Sequence, residues 1–110
     1  MRLYKIDQLS REEKANVESY LNRTLQPGPV EGVYWLELPQ DLLSAEQNGH
    51  EDCSPFFFAV ELEAEAVSFE FLVRSQTNLH CSCIAYASPA QRDFVLRFVD
   101  KLVQEEQIKA

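Results

Sequence analysis

Phe56-Phe57-Phe58-Ala59-Val60-Glu61-Leu62, followed after a short break by Val67-Ser68-Phe69-Glu70-Phe71-Leu72-Val73-Arg74, is the stretch on which the fold turns. In both runs alternate positions are strongly apolar: Phe56, Phe58, Val60 and Leu62 in the first, Val67, Phe69, Phe71 and Val73 in the second. Successive side chains of a strand point to opposite faces, so this period of two marks two strands sharing one buried face. A tight turn near Ala64-Glu65 pairs Leu62 with Val67, Val60 with Phe69, Phe58 with Phe71 and Phe56 with Val73. Every core residue then meets another, and a slip of one residue would turn one apolar set to water, which fixes the register. If Gln76-Thr77-Asn78 then forms a loop, a third strand from Leu79 sets Cys81 opposite Val73, Cys83 opposite Phe71 and Ala85 opposite Phe69.

Outward from this meander the pattern becomes helical. Ser88 and Gln91 have capping-box spacing, Pro89 suits a first helical position, and Phe94, Val95, Phe98, Val99, Leu102 and Val103 form a continuous stripe. Ser10 and Glu13 make a second capping box, ahead of Val17, Tyr20, Leu21 and Leu25, and Pro27-Gly28-Pro29 stops that helix. Short strands are expected at Arg2 to Ile6 and at Val33 to Leu38, and a helical turn between Gln40 and Gln47. The sequence therefore predicts a single α+β domain over residues 1–110: an antiparallel sheet of four to five strands, in the order β-α-β-β-β-β-α, with two helices packed on one face.

Composition narrows the function. The formal net charge is −8, and residues 31–70 hold ten acidic side chains and no Lys or Arg. That field repels phosphate backbones and no basic patch offsets it, so nucleic-acid binding is not expected. No apolar run approaches the ~18 residues of a membrane span, and Met1 to Asp7 holds no apolar signal region, so the expected location is the cytoplasm. Three cysteines cannot all pair within one chain, and a disulfide framework is disfavoured there.

All the soft metal ligands fall in two short stretches: His50-x-x-Cys53 and, twenty-seven residues on, His80-Cys81-Ser82-Cys83. Three readings stand. Cys81 and Cys83 point to the same face of an extended strand, and in the expected register that face is the core, where reduced thiols behave as small hydrophobes. Alternatively, His50, Cys53, Cys81 and Cys83 form a Cys₃His set of the composition that suits one zinc ion. The expected register leaves Cys53 on the order of 10 Å along the strand from Cys81, so the loop of residues 50–54 would have to fold back. Thirdly, a thiol-dependent enzyme or redox protein would use the same cysteines, but Glu51 and Asp52 beside Cys53 disfavour a reactive thiolate. No catalytic residue is assigned.

The face of the sheet away from the helices carries Phe57, Leu72, Ile84 and Tyr86 among polar neighbours. It is too apolar for a purely solvated surface, and it fits a protein partner or homodimer contact, or equally a face partly covered by the loops Pro27 to Val30 or Leu42 to Asn48. On balance the sequence favours a small acidic non-enzymatic interaction domain over a zinc-binding domain, with no cofactor or at most a single zinc ion.

Overall fold

The two alternating runs, Phe56 to Leu62 and Val67 to Arg74, become the middle of a seven-stranded antiparallel sheet. The computed structural model describes residues 1–110. It contains strands β1 (Leu3–Ile6), β2 (Gln26–Pro27), β3 (Val33–Glu37), β4 (Phe56–Leu62), β5 (Val67–Glu70), β6 (Leu72–Ser75) and β7 (Ala85–Tyr86), with helices α1 (Arg11–Thr24) and α2 (Pro89–Glu105). The sheet runs β1-β5-β4-β3-β2, while β6 also lies beside β4 and carries β7 on its far side. Two helices and an antiparallel sheet make this an α+β fold, with more strands than the four to five expected.

Both helices begin where their capping boxes place them. The Ser10 hydroxyl accepts from the Glu13 N–H while the Glu13 carboxylate accepts from the Ser10 N–H, and Ser88 and Gln91 repeat the exchange on α2. Two orphan N–H groups are satisfied at each start. The helices bury Val17, Tyr20 and Leu21 of α1, and Val95, Val99 and Leu102 of α2, against the apolar face of the sheet. Aromatic rings join the layers: Phe58 meets Phe94 at 6.4 Å between centroids, Phe69 meets Phe98 at 6.3 Å, and Tyr20 meets Phe98 at 5.8 Å. No helix is long and apolar enough to cross a membrane.

The strand count rises for two physical reasons. First, β5 and β6 are one expected strand interrupted at Phe71. Leu62↔Val67 and Val60↔Phe69 pair as expected, but Phe56 lies opposite Ser75 and Phe57 opposite Arg74, which displaces the expected Phe56↔Val73 and Phe58↔Phe71 pairs. Four residues of this strand therefore face two of β4, a bulge of the kind that bends a sheet. It sits where the neighbour on the other side changes: the Phe71 N–H donates to the Arg2 carbonyl and its carbonyl accepts from the Ala87 N–H, beyond the end of β1 and of β7 respectively. The shift is even, so Phe69, Phe71 and Val73 keep the apolar side, although Phe71 is only half-buried.

Secondly, the segment expected to stop α1 supplies β2, which pairs Gln26 with Trp35 and Pro27 with Tyr34 at the sheet edge. The return to β3 passes through Gly32 at φ +86°, a backbone region that strains any residue with a Cβ. Its carbonyl accepts from the Leu62 N–H at 2.7 Å.

The third meander strand is the largest correction. Residues 79–84 form turns rather than a strand, and only Ala85 and Tyr86 pair with β6, Ala85 opposite Val73 and Tyr86 opposite Leu72. Cys81 and Cys83 thus do not stand opposite Val73 and Phe71, nor Ala85 opposite Phe69. His80, expected beside Arg74, lies instead in an exposed turn, and Arg74 is gripped by Glu70 at 2.8 Å.

Candidate metal centre

The chain leaves β6 at Ser75 and enters β4 at Phe56, and these residues are cross-strand partners, so the segments before β4 and after β6 start at the same corner of the sheet. Each segment folds into turns there. Residues Glu51–Cys53 form one turn of 3₁₀-helix, with the Cys53 N–H donating to the His50 carbonyl at 3.0 Å. Three residues complete a 3₁₀ turn, so side chains three apart eclipse, and His50-x-x-Cys53 presents both ligands on one side. Across the corner the Cys83 N–H donates to Cys81 Sγ at 3.3 Å, and the Ile84 N–H donates to the Cys81 carbonyl.

The outcome is convergence. His50, Cys53, Cys81 and Cys83 each offer a ligand atom, and these atoms all lie within 4.8 Å of one another. Cys81 Sγ lies 3.1 Å from His50 Nδ1. Cys53 and Cys83 are buried, at 4% and 0% exposure, while Cys81 and His50 are half-buried, and all three cysteines are free thiols. The expected gap between Cys53 and Cys81 is closed from both sides, because the cysteines leave the sheet as well as the histidine loop folding back.

Hydrogen bonds from neighbouring elements pin each half of the corner. Ser75 Oγ donates to the Cys53 carbonyl at 2.7 Å, and Thr77 Oγ1 donates to the Asp52 carbonyl at 3.1 Å. On the other half Gln47 Nε2 donates to the Cys83 carbonyl at 2.9 Å. Gln47 is held in turn by Gln91 of α2, whose Nε2 donates to Gln47 Oε1 at 2.9 Å and to the Leu42 carbonyl at 2.8 Å, while Ser44 Oγ donates to Gln47 Oε1 at 2.6 Å. Both glutamines are almost wholly buried, and no buried side-chain nitrogen or oxygen lacks a partner. A buried amide bonded through both its oxygen and its nitrogen is costly to displace, so this chain of bonds fixes where the Cys83 backbone sits.

The three sulfurs do not share charge evenly. The Cys83 thiol, the Cys83 backbone N–H, the Cys53 thiol and the charge on His50 all favour the Cys81 thiolate and hold its pKa to about 7. Burial, followed by competition from the Cys81 and Cys53 sulfurs, pushes Cys83 up to about 12. Cys53 is raised as well, first by its hydrogen bond with Cys81 and then by burial. One negative charge is thus tolerated in this corner and three are not. A divalent cation changes that, because a coordinated thiol gives up its proton outright.

Gln47, Gln91 and Ser75 were not assigned to the site from the sequence. Gln91 is visible in the sequence only as part of a capping box. Among the residues expected at a partner surface, Phe57 lies buried beside Trp35, with ring centroids 6.0 Å apart. Leu72 and Ile84 line a hollow of about 720 Å³ on the helix-free face. Tyr86 is 37% exposed and carries the Arg2 guanidinium over its ring at 4.4 Å. Compared with protein-family models, with curated proteins and with solved structures, the chain finds no match in any of the three.

Proposed function

We propose that the protein is a zinc-binding domain in which a single ion, held by His50, Cys53, Cys81 and Cys83, ties together two turns at one corner of the sheet. The observation that carries this reading is the gathering of all four ligand atoms within 4.8 Å, from segments far apart in sequence. Tetrahedral zinc with Zn–S near 2.3 Å and Zn–N near 2.0 Å sets neighbouring ligand atoms about 3.5 to 3.8 Å apart. The widest spacing here exceeds that by about 1 Å, which side-chain rotation covers without moving the backbone. Three thiolates and an imidazole are soft to borderline donors, which favours zinc over magnesium or calcium.

Four protein ligands fill a tetrahedron, so the ion has no open position for substrate water and the role is structural rather than catalytic. The domain's interactions are then left to its surfaces, and that is how a non-enzymatic interaction module is best reconciled with a metal site. Substitution with Co²⁺ tests the reading. A tetrahedral Co²⁺ site with thiolate ligands gives intense visible d–d bands and thiolate charge-transfer absorption, and one equivalent of Zn²⁺ should bleach both. Weak octahedral spectra, or bands that survive Cys81→Ser unchanged, would falsify the Cys₃His assignment.

A further inference from the structure

The hollow on the helix-free face crosses β4, from Trp35 on β3 to Leu72 on β6, and is closed at its sides by Pro27 of β2 and by Leu79 and Ile84 from the turns after β6. At about 720 Å³ it falls in the size range of sites that take up a ligand group. Leu79, at its rim, is 72% exposed.

The charges around it are ordered by the sheet register. Trp35 lies in a row with Gln26 and Ala59. One step along the same face, Glu37 heads the row that runs through Phe57 to Arg74; one step the other way, Glu61 stands between Val33 and Ser68. Glu37 and Glu61 are exposed and take no part in any of the ion pairs, whereas Arg74 is already neutralised by Glu70. The wall of the hollow itself holds one charged side chain, Arg74, which Glu70 neutralises, and beyond the hollow a free carboxylate stands one step to either side of the tryptophan row, each about 6.6 Å from it along the strands and about 13 Å from the other in that direction. An extended peptide spans ~13 Å between residues four apart, with the residue midway between them pointing the same way. A second copy of this chain would bring carboxylates of its own against Glu37 and Glu61, since the whole excess of charge lies in residues 31–70.

We propose that this face binds an extended segment of a partner protein with the pattern basic–x–apolar–x–basic, the apolar side chain entering the hollow and the basic side chains meeting Glu37 and Glu61. The inference stands on the sheet register and the surface charge, and it goes beyond the metal reading. Trp35 is the chain's single tryptophan and lies in the wall of the hollow, so its fluorescence reports occupancy directly. The probes are two blocked heptapeptides with phenylalanine at the centre, one with arginine two residues to either side and the other with glutamate there, glycine and serine elsewhere.

Titrated into the protein as purified, with its metal content measured, the arginine peptide should change Trp35 emission saturably. It should bind about tenfold more tightly than the glutamate peptide, as two attractions replacing two repulsions imply. Added salt should narrow the gap. Glu37→Lys with Glu61→Lys should reverse the preference, and Leu72→Ser should weaken both peptides while leaving the circular dichroism unchanged. Equal binding of the two peptides, no saturable response to either, or a preference that survives the double reversal overturns the proposal. A protein that contains no zinc yet prefers the arginine peptide would contradict the metal reading alone.

Discussion

The helix-facing side of the sheet and the cysteine corner both exclude water, and they do so by opposite means. On the helix-facing side Phe58, Phe69, Val95 and Leu102 are fully buried by apolar area alone, and no polar bond is needed to place them. At the corner the buried Cys53 and Cys83 have short turns rather than strands around them, and their positions depend on Ser75, Gln47 and Gln91. Apolar packing is non-directional and tolerates small shifts, while a ligand set must meet within a fraction of an ångström. The fold thus fixes one region by apolar area and the other by directed hydrogen bonds.

Phe58→Ala should break the first region with the largest effect. Phe58 is fully buried, so transfer and cavity terms should cost about 3 to 5 kcal/mol. Phe71→Ala should cost less, because Phe71 is half-buried at the bulge. Denaturant melts of the two variants check the order, and equal losses would place Phe71 in the core with its strand uninterrupted.

Gln47→Leu sharpens the contrast at the next level. It leaves the Cys83 carbonyl without its Gln47 donor and the Gln91 amide nitrogen with the Leu42 carbonyl alone, at a cost of about 1 to 3 kcal/mol, and it should weaken zinc binding by roughly 10- to 100-fold because the supports of metal ligands act on affinity. Competition with a chromophoric chelator measures the second effect. A variant as destabilised as this but with unaltered zinc affinity would separate the glutamine network from the metal.

Proton release on zinc loading is a smaller but more specific readout. At pH 7 the metal-free protein keeps protons on Cys83 and Cys53 and about half a proton on Cys81, so uptake of one ion should release roughly two to three protons. Lowering the pH protonates Cys81 too, and affinity should fall. Calorimetry in buffers of different ionisation enthalpy counts the protons, and a count near zero would mean that the thiols are not the ligands.

The smallest effect belongs to Glu13, at the start of α1. Its carboxylate accepts from the Ser10, Lys109 and Ala110 N–H groups, with Ser10 the largest influence, and its pKa is lowered from the ordinary 4.5. A depressed folded-state pKa gives stability that is present above the unfolded value and is lost as pH falls through the folded one. Glu13→Gln should therefore destabilise slightly at pH 7 and hardly at all in acid beyond that range. Melts at the two pH values check the sign.

These tests also mark what the sequence could and could not show. Both helix starts were legible because a capping box needs only residues three apart, and the Leu62↔Val67 end of the meander was legible because a short turn pins it. The bulge at Phe71 was hidden, since inserting two residues leaves the alternation of faces unchanged. The turns at 79–84 were misread because Leu79, Cys81 and Cys83 alternate as well as any strand does, and only pairing partners distinguish the cases. The four candidate ligands were visible as an inventory. Their meeting was not, because it depends on Phe56 pairing with Ser75, which brings both loops to one corner.

Whether this corner holds zinc is read from the metal content of the purified chain. Protein prepared under reducing conditions without chelator, examined by native mass spectrometry, should carry one zinc per chain. It should lose that ion in Cys53→Ala and in Cys83→Ala, and chelation of the wild type should lower its melting temperature. A chain that remains metal-free when offered one equivalent of zinc, with a melting temperature indifferent to chelator, would contradict the account and leave the three thiols as reduced side chains packed into a polar corner.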